Sequence, residues 1–181
     1  MFKKKLRRAI AIGGMFAVAA VGTATTVPAS AAGTAVDSTT TSMLVLRHSG
    51  KAITVSDWWK SNPVNVEQQT YQGWGTQKFK HRYFADGHFS LVDTSWWQGC
   101  LDVENDSGSD GARIISKACD GTPSQKWDYT PNPDNLNYVY LRNVNSGLYV
   151  TLVTGSVSNG TKFVQRVKNG YTIQQFSKTQ L

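Results

Sequence analysis

Four of the six tryptophans in this 181-residue chain stand in two adjacent pairs, Trp58-Trp59 and Trp96-Trp97. The first pair lies in Asp57-Trp58-Trp59-Lys60, a polar loop after a strand-like run. The second lies in Ser95-Trp96-Trp97-Gln98-Gly99. Neighbouring side chains in a turn cannot both point into a core, so at least one indole of each pair is expected at the surface. An exposed indole is a hot spot at protein interfaces and a flat apolar platform for a sugar ring. The other reading is that these rings cap a core, and the sequence leaves both open. Groups that could do covalent or acid–base chemistry are poorly arranged. His48, His81 and His88 have no metal-ligand spacing, and neither a His-Glu-x-x-His nor a paired Cys motif occurs. There is no Gly-x-Ser-x-Gly elbow. Glu67 and Glu104 are the only glutamates, and nothing selects a pair among the aspartates. The expectation is a binding protein with no catalytic residue, metal or cofactor.

The elements that must position these residues read as strands. Short alternating or β-branched runs recur: Leu44-Val45-Leu46, Ala52-Ile53-Thr54-Val55, Ile114-Ile115, Tyr138-Val139-Tyr140-Leu141 and Tyr149-Val150-Thr151-Leu152. Turn signals such as Ser49-Gly50, Asn145-Ser146-Gly147 and Ser158-Asn159-Gly160 separate them. No segment keeps a 3.6-residue apolar period, so the fold class is all-β. A long-period repeat organises the strands. Gln77-Lys78-Phe79, Gln125-Lys126-Trp127 and Gln174-Gln175-Phe176 are three Gln-x-aromatic triplets, spaced 48 and 49 residues apart. Ile53-Thr54-Val55, Leu101-Asp102-Val103 and Val150-Thr151-Leu152 keep the same register, as do Tyr71, Cys119 and Lys168, each six residues before the Gln.

These triplets resemble the Gln-x-Trp repeats of the ricin-B-type β-trefoil, the R-type lectin-like domain of secreted bacterial and other proteins. The middle unit is the closest match, with Cys100-Leu101-Asp102-Val103, Asp110-Gly111, Cys119-Asp120-Gly121 and Gln125-x-Trp127. The outer units lack the cysteines and carry Phe for Trp. The resemblance covers residues 43–181. It implies a β-trefoil of twelve strands in three pseudo-symmetric units, with Phe79, Trp127 and Phe176 buried near the axis. Gln77, Gln125 and Gln174 would satisfy backbone groups beside them. It also implies shallow sugar pockets, each built from an Asp, an aromatic ring two residues before the second Cys position, and a polar residue just after that Cys. The Asp place holds Thr54, Asp102 and Thr151. The ring place holds Gln69, Lys117 and Arg166, and the polar place Gln72, Asp120 and Asn169. No unit keeps the set. The middle one comes nearest, with Lys117 where the ring should be, and Asp102 is expected to form an exposed pair with it, of the kind worth about 0–1 kcal/mol.

The ends of the chain suggest export. Lys3, Lys4, Lys5, Arg7 and Arg8 precede an apolar stretch from Ala9, and Val27-Pro28-Ala29-Ser30-Ala31 offers an A-x-A cleavage site. Residues 1–31 are therefore expected to be a secretory signal peptide and the protein to be extracellular. The formal charge of +7 owes five bases to that leader; beyond it, 14 basic and 12 acidic side chains nearly cancel. The densest basic cluster, Lys78-Phe79-Lys80-His81-Arg82, reads as a solvated edge, so no nucleic-acid partner is expected. Nor is a membrane span expected. In an exported chain the even pair Cys100 and Cys119 reads as a disulfide, two buried thiols being the alternative. Residues 32–42 are small and polar and are expected to form a flexible arm, or a strand that orders on a partner. With the sugar constellation incomplete, the leading expectation is an adaptor that binds an extracellular protein, as ricin-like trefoils do as accessory subunits of bacterial toxin complexes. The alternative is a lectin for a polysaccharide or cell-surface glycan, and a third reading is a loop-based protease inhibitor. The binding candidates are Trp58, Trp59, Trp96, Trp97, Asp102, Lys117 and Asp120.

Overall fold

The computed structural model describes residues 35–56 and 63–181. The expected signal peptide 1–31 and the pair Trp58-Trp59 lie outside the described residues. Among those described there are twelve strands: β1 (Val36–Leu46), β2 (Ala52–Val55), β3 (Val64–Gln69), β4 (Phe79–Tyr83), β5 (Phe89–Asp93), β6 (Cys100–Val103), β7 (Ile114–Lys117), β8 (Trp127–Pro131), β9 (Val139–Asn143), β10 (Tyr149–Leu152), β11 (Phe163–Arg166) and β12 (Phe176–Gln180). A one-turn 3-10 helix precedes each of β4, β8 and β12 and contains the repeat Gln.

Six strands close a barrel. β1 pairs with β4, β4 with β5, β5 with β8, β8 with β9, β9 with β12 and β12 with β1, all antiparallel. Closure leaves the ring without a free edge. The hairpins β2–β3, β6–β7 and β10–β11 form a triangular cap. They meet through β3–β7 pairing and through the bridges Glu67–Lys162 and Arg113–Val164. Each unit of four strands thus gives two strands to the barrel and a hairpin to the cap, which is the β-trefoil.

The core explains the repeat. Phe79, Trp127 and Phe176 are fully buried, packed with Leu44, Leu91 and Leu141 among others. Each Gln of the triplet is also buried and spends its carboxamide identically. Gln77 Nε2 donates to Thr54 Oγ1 and Thr70 O, Gln125 Nε2 to Asp102 Oδ2 and Ala118 O, and Gln174 Nε2 to Thr151 Oγ1 and Val167 O, all at 2.9–3.1 Å. The Oε1 atoms accept from the backbone N–H of Gln72, Asp120 and Asn169 at 2.7–2.9 Å. An isolated buried amide would cost several kcal/mol, so a residue that bonds on both sides of one loop holds the 3-10 turn to its hairpin. The Cys100–Cys119 disulfide is present and ties β6 to the loop after β7.

One stretch differs from its composition. The segment 32–42, expected to be a flexible arm, is strand from Val36 onward. Val36 and Asp37 lie opposite Tyr83 and Arg82, and Ser42 lies between Phe79 and Gln180. Between Asp37 and Thr41 the register shifts in a bulge, where Ser38 Oγ accepts the N–H of His81 at 3.1 Å. The Arg82 guanidinium pairs with Asp37 at 2.6 Å. Composition counts the apolar surface a segment buries. This one is held by ladder bonds to a barrel whose core other residues build, so its small polar side chains suffice.

Candidate functional site

The three places that could hold a sugar are built alike and filled differently. In the middle unit, Asp102 on β6 is wholly buried and Lys117 on β7 reaches it, Nζ to Oδ2 at 3.1 Å. The same ammonium lies 3.3 Å from Asp120 Oδ2 and 3.6 Å from Asp106 Oδ1. Burial opposes the charge on Lys117, but Asp102 and Asp120 outweigh it and hold its pKa above the usual lysine value. Asp120 also accepts from the N–H and hydroxyl of Thr122, and its pKa is lowered: hydrogen bonds and the Lys117 charge prevail over partial burial. The expected exposed pair is therefore a buried one at the Asp102 end, because Gln125 and the lysine stem cover the carboxylate. Asp102, Lys117 and Asp120 come together as an ion cluster, in which Asp102 Oδ2 is paired while its buried Oδ1 has no hydrogen-bond partner among the described residues, and Lys117 occupies the family's ring place.

The third unit offers Thr151, whose hydroxyl donates to Tyr149 O at 2.8 Å while accepting from Gln174. Arg166, in the ring place, is drawn to Asp110 at 3.1 Å. Asn169 Oδ1 accepts the N–H of Tyr171 at 2.9 Å, and Tyr171 is 68% exposed.

The first unit is open. A cleft of about 360 Å³ is lined by Thr54, Val55, Gln69, Trp74, Gly75, Thr76 and Ser95. None of these side chains is charged. Trp74 is 55% exposed and stands immediately before the 3-10 turn Gly75–Gln77. The family pattern puts a ring at the place of Gln69, but here the ring comes from a neighbouring loop. Trp74 was absent from the sequence candidates although a signal existed. It lies three residues before the repeat Gln, where the sister units hold Thr122 and Tyr171. In two units of three the aromatic has moved to the residue that opens the 3-10 turn.

The second tryptophan pair divides as its turn requires. Trp96 is 72% exposed. Trp97 turns inward against the core, its Nε1–H 3.4 Å from Ser116 Oγ. Gly99 makes room for it, since a Cβ there would stand 2.1 Å from Trp97 Nε1. Trp97 therefore caps the core, and Trp96 is the platform. Asp93 shapes this turn. Its Oδ1 accepts from the N–H and hydroxyl of Ser95, and its Oδ2 from the N–H of Gly99 at 2.8 Å. Burial pushes the Asp93 carboxyl pKa up, the hydrogen bonds from Ser95 and Gly99 only partly opposing it.

Among the described residues no group of three or more His, Cys, Asp or Glu is placed to hold a metal ion, and no helix is long and apolar enough to cross a membrane. The chain matches the ricin-type beta-trefoil lectin domain-like family over residues 76–166, and it belongs to that family. Among solved structures it is similar to the designed three-fold symmetric protein ThreeFoil, at 33% identity and a TM-score of 0.73, over 78% of this chain and 99% of that one. It is also similar to the exo-β-1,3-galactanase 1,3Gal43A of Clostridium thermocellum, at 25% identity and a TM-score of 0.74, covering 80% of this chain but 31% of the enzyme. The ricin B-like lectin of Macrolepiota procera, solved with lactose, shares the fold at 16% identity and a TM-score of 0.66, over 76% of this chain and 93% of the lectin. No curated protein matches the chain in sequence.

Proposed function

We propose that this chain is an exported lectin that binds carbohydrate through the cleft of its first unit, with Trp74 as the stacking ring. The observation that carries the reading is the half-exposed Trp74 over an uncharged cleft, at the place where the lectin family holds sugar. The lactose in the Macrolepiota lectin and the galactan substrate of the Clostridium enzyme support a carbohydrate ligand by kinship of fold. Export is supported by the basic and apolar leader with its A-x-A site, and by a disulfide of the kind oxidising compartments favour. The adaptor role in an extracellular or toxin assembly rested on the incomplete sugar constellation and, more modestly, on a polar arm free to add to a partner, and from Val36 that segment is already paired with β4 and β12. Screening the secreted protein against a glycan array and insoluble polysaccharides tests the proposal. Trp74→Ala is expected to weaken retention about thirtyfold, the worth of a hot-spot indole of about 2 kcal/mol, with the fold intact. Retention unchanged in that variant removes the first-unit assignment. A stoichiometric protein partner with no glycan bound restores the adaptor.

A further inference from the structure

Thr54 and Ser95 leave little directional hydrogen bonding to the first-unit cleft. The Thr54 hydroxyl donates its proton to Ala52 O at 3.2 Å and accepts from Gln77 Nε2 at 3.1 Å. The Ser95 hydroxyl proton goes to Asp93. Gln69 directs Nε2 to Glu67 Oε1 at 2.7 Å, leaving its carbonyl oxygen as an acceptor. Among the described residues no carboxylate lines the cleft to bind the paired hydroxyls of one sugar. Recognition must come from covering apolar C–H surface with the indole, and a hydroxyl pressed against that ring without a partner would be desolvated at a cost. A pyranose whose substituents are all equatorial keeps its hydroxyls around its rim and shows C–H on both faces. A galactose-type ring carries one axial hydroxyl, and the place of the family's carboxylate is held here by Thr54.

A second platform adjoins the first. The turn bearing Trp96 is joined to the base of Trp74: Thr94 N–H and Oγ1 donate to Gly75 O at 3.1 and 3.2 Å, and a Cβ on Gly75 would stand 2.9 Å from Ser95 N. The two exposed indoles therefore rise from loops in backbone contact, and Asp93 fixes the shape of the second. One sugar ring covers one indole, whereas two platforms on touching loops suit several rings in succession.

Resting on the lectin reading above, we infer that the ligand is an uncharged chain of all-equatorial pyranoses, bound along Trp74 and Trp96, and not a terminal galactose-type sugar. The probes are glucose, cellotetraose, galactose and a β-1,3-linked galactotetraose, titrated by calorimetry into the disulfide-bonded protein and into Trp74→Ala and Trp96→Ala. Thermal melts check that both variants fold. Cellotetraose is expected to bind at least tenfold tighter than glucose and than either galactose probe. Trp96→Ala should remove most of the gain with chain length and weaken glucose binding less than it weakens cellotetraose binding, and Trp74→Ala should weaken both strongly. Binding that prefers galactose, ignores length or ignores Trp96→Ala overturns the chain assignment and leaves the lectin reading standing. No binding to these probes, with no retention on any arrayed glycan, overturns both.

Discussion

The first and second units share a frame and part company at the rim. Gln77 and Gln125 bond in the same pattern, and Phe79 and Trp127 are equally buried. Above that frame, Thr54, Gln69 and Trp74 leave an open neutral cleft, while Asp102, Lys117 and Thr122 close the same place with ions and offer no ring. The second unit looks more like a sugar site in sequence because it keeps the aspartates, yet its carboxylate is buried under a lysine. The first looks degenerate because its acid is gone, yet it is the one with an aromatic beside an accessible cleft. Resemblance to a motif and openness to a ligand are separate properties, and charge pairing decides between them here.

The largest expected difference between the units is energetic. Asp102→Ala leaves Lys117 to Asp120 and Asp106 but takes a charged acceptor from the buried Gln125 amide and opens a cavity, and should destabilise by about 2–3 kcal/mol. Thr54→Ala removes one neutral hydrogen bond, worth about 1 kcal/mol. Urea melts of the two variants check this. The double change Asp102→Leu, Lys117→Met should recover most of the loss, and an equal, small effect of both single changes would dissolve the contrast.

A second contrast is in pH. No described residue lining the first cleft titrates, so its ligand affinity should be flat between pH 6 and 9. Stability should not be flat on the acid side. His81, buried on β4 with its Nε2 2.8 Å from the Tyr129 hydroxyl, has its pKa pushed down to about 4 by desolvation and by the Lys178 charge. The unfolded chain takes up that proton near pH 6.5 and the folded one only near 4, so protons favour unfolding between those values. Stability should fall by up to roughly 3 kcal/mol as pH drops through that window, and the His81 contribution should be constant above it. Denaturation of wild type and His81→Gln at pH 4.5 and 7.5 measures it, the variant being expected to lose most of the difference.

The smallest contrast lies within one turn. Trp97→Ala should cost roughly 2 kcal/mol or more, somewhat below the 3–5 kcal/mol of a fully buried ring. Trp96→Ala should stay within about 0.5 kcal/mol, as exposed positions do. The reverse order in thermal melts would exchange the roles of platform and cap.

Much of this was legible from one dimension. The three Gln-x-aromatic triplets were enough for three units, the short alternating runs for the all-β class and the family resemblance for the buried aromatics, because a pseudo-symmetric core imposes the same residue types at the same interval. The disulfide was legible as an even cysteine pair behind a leader that reads as a secretory signal. Tertiary structure decided what no interval carries. Whether Val36–Ser42 is an arm or a strand depended on an unpaired ladder offered by β4. Which indole of Trp96-Trp97 faces out depended on the space above Gly99. Whether Asp102 is a ligand group or a buried counter-ion depended on where the Lys117 ammonium lies, and Trp74 lines a cleft with Thr54 and Ser95 only because its loop meets the Thr94-Ser95 turn. Periodicity records which side chains share a core, but accessibility and charge pairing are set by contacts between residues far apart in the chain.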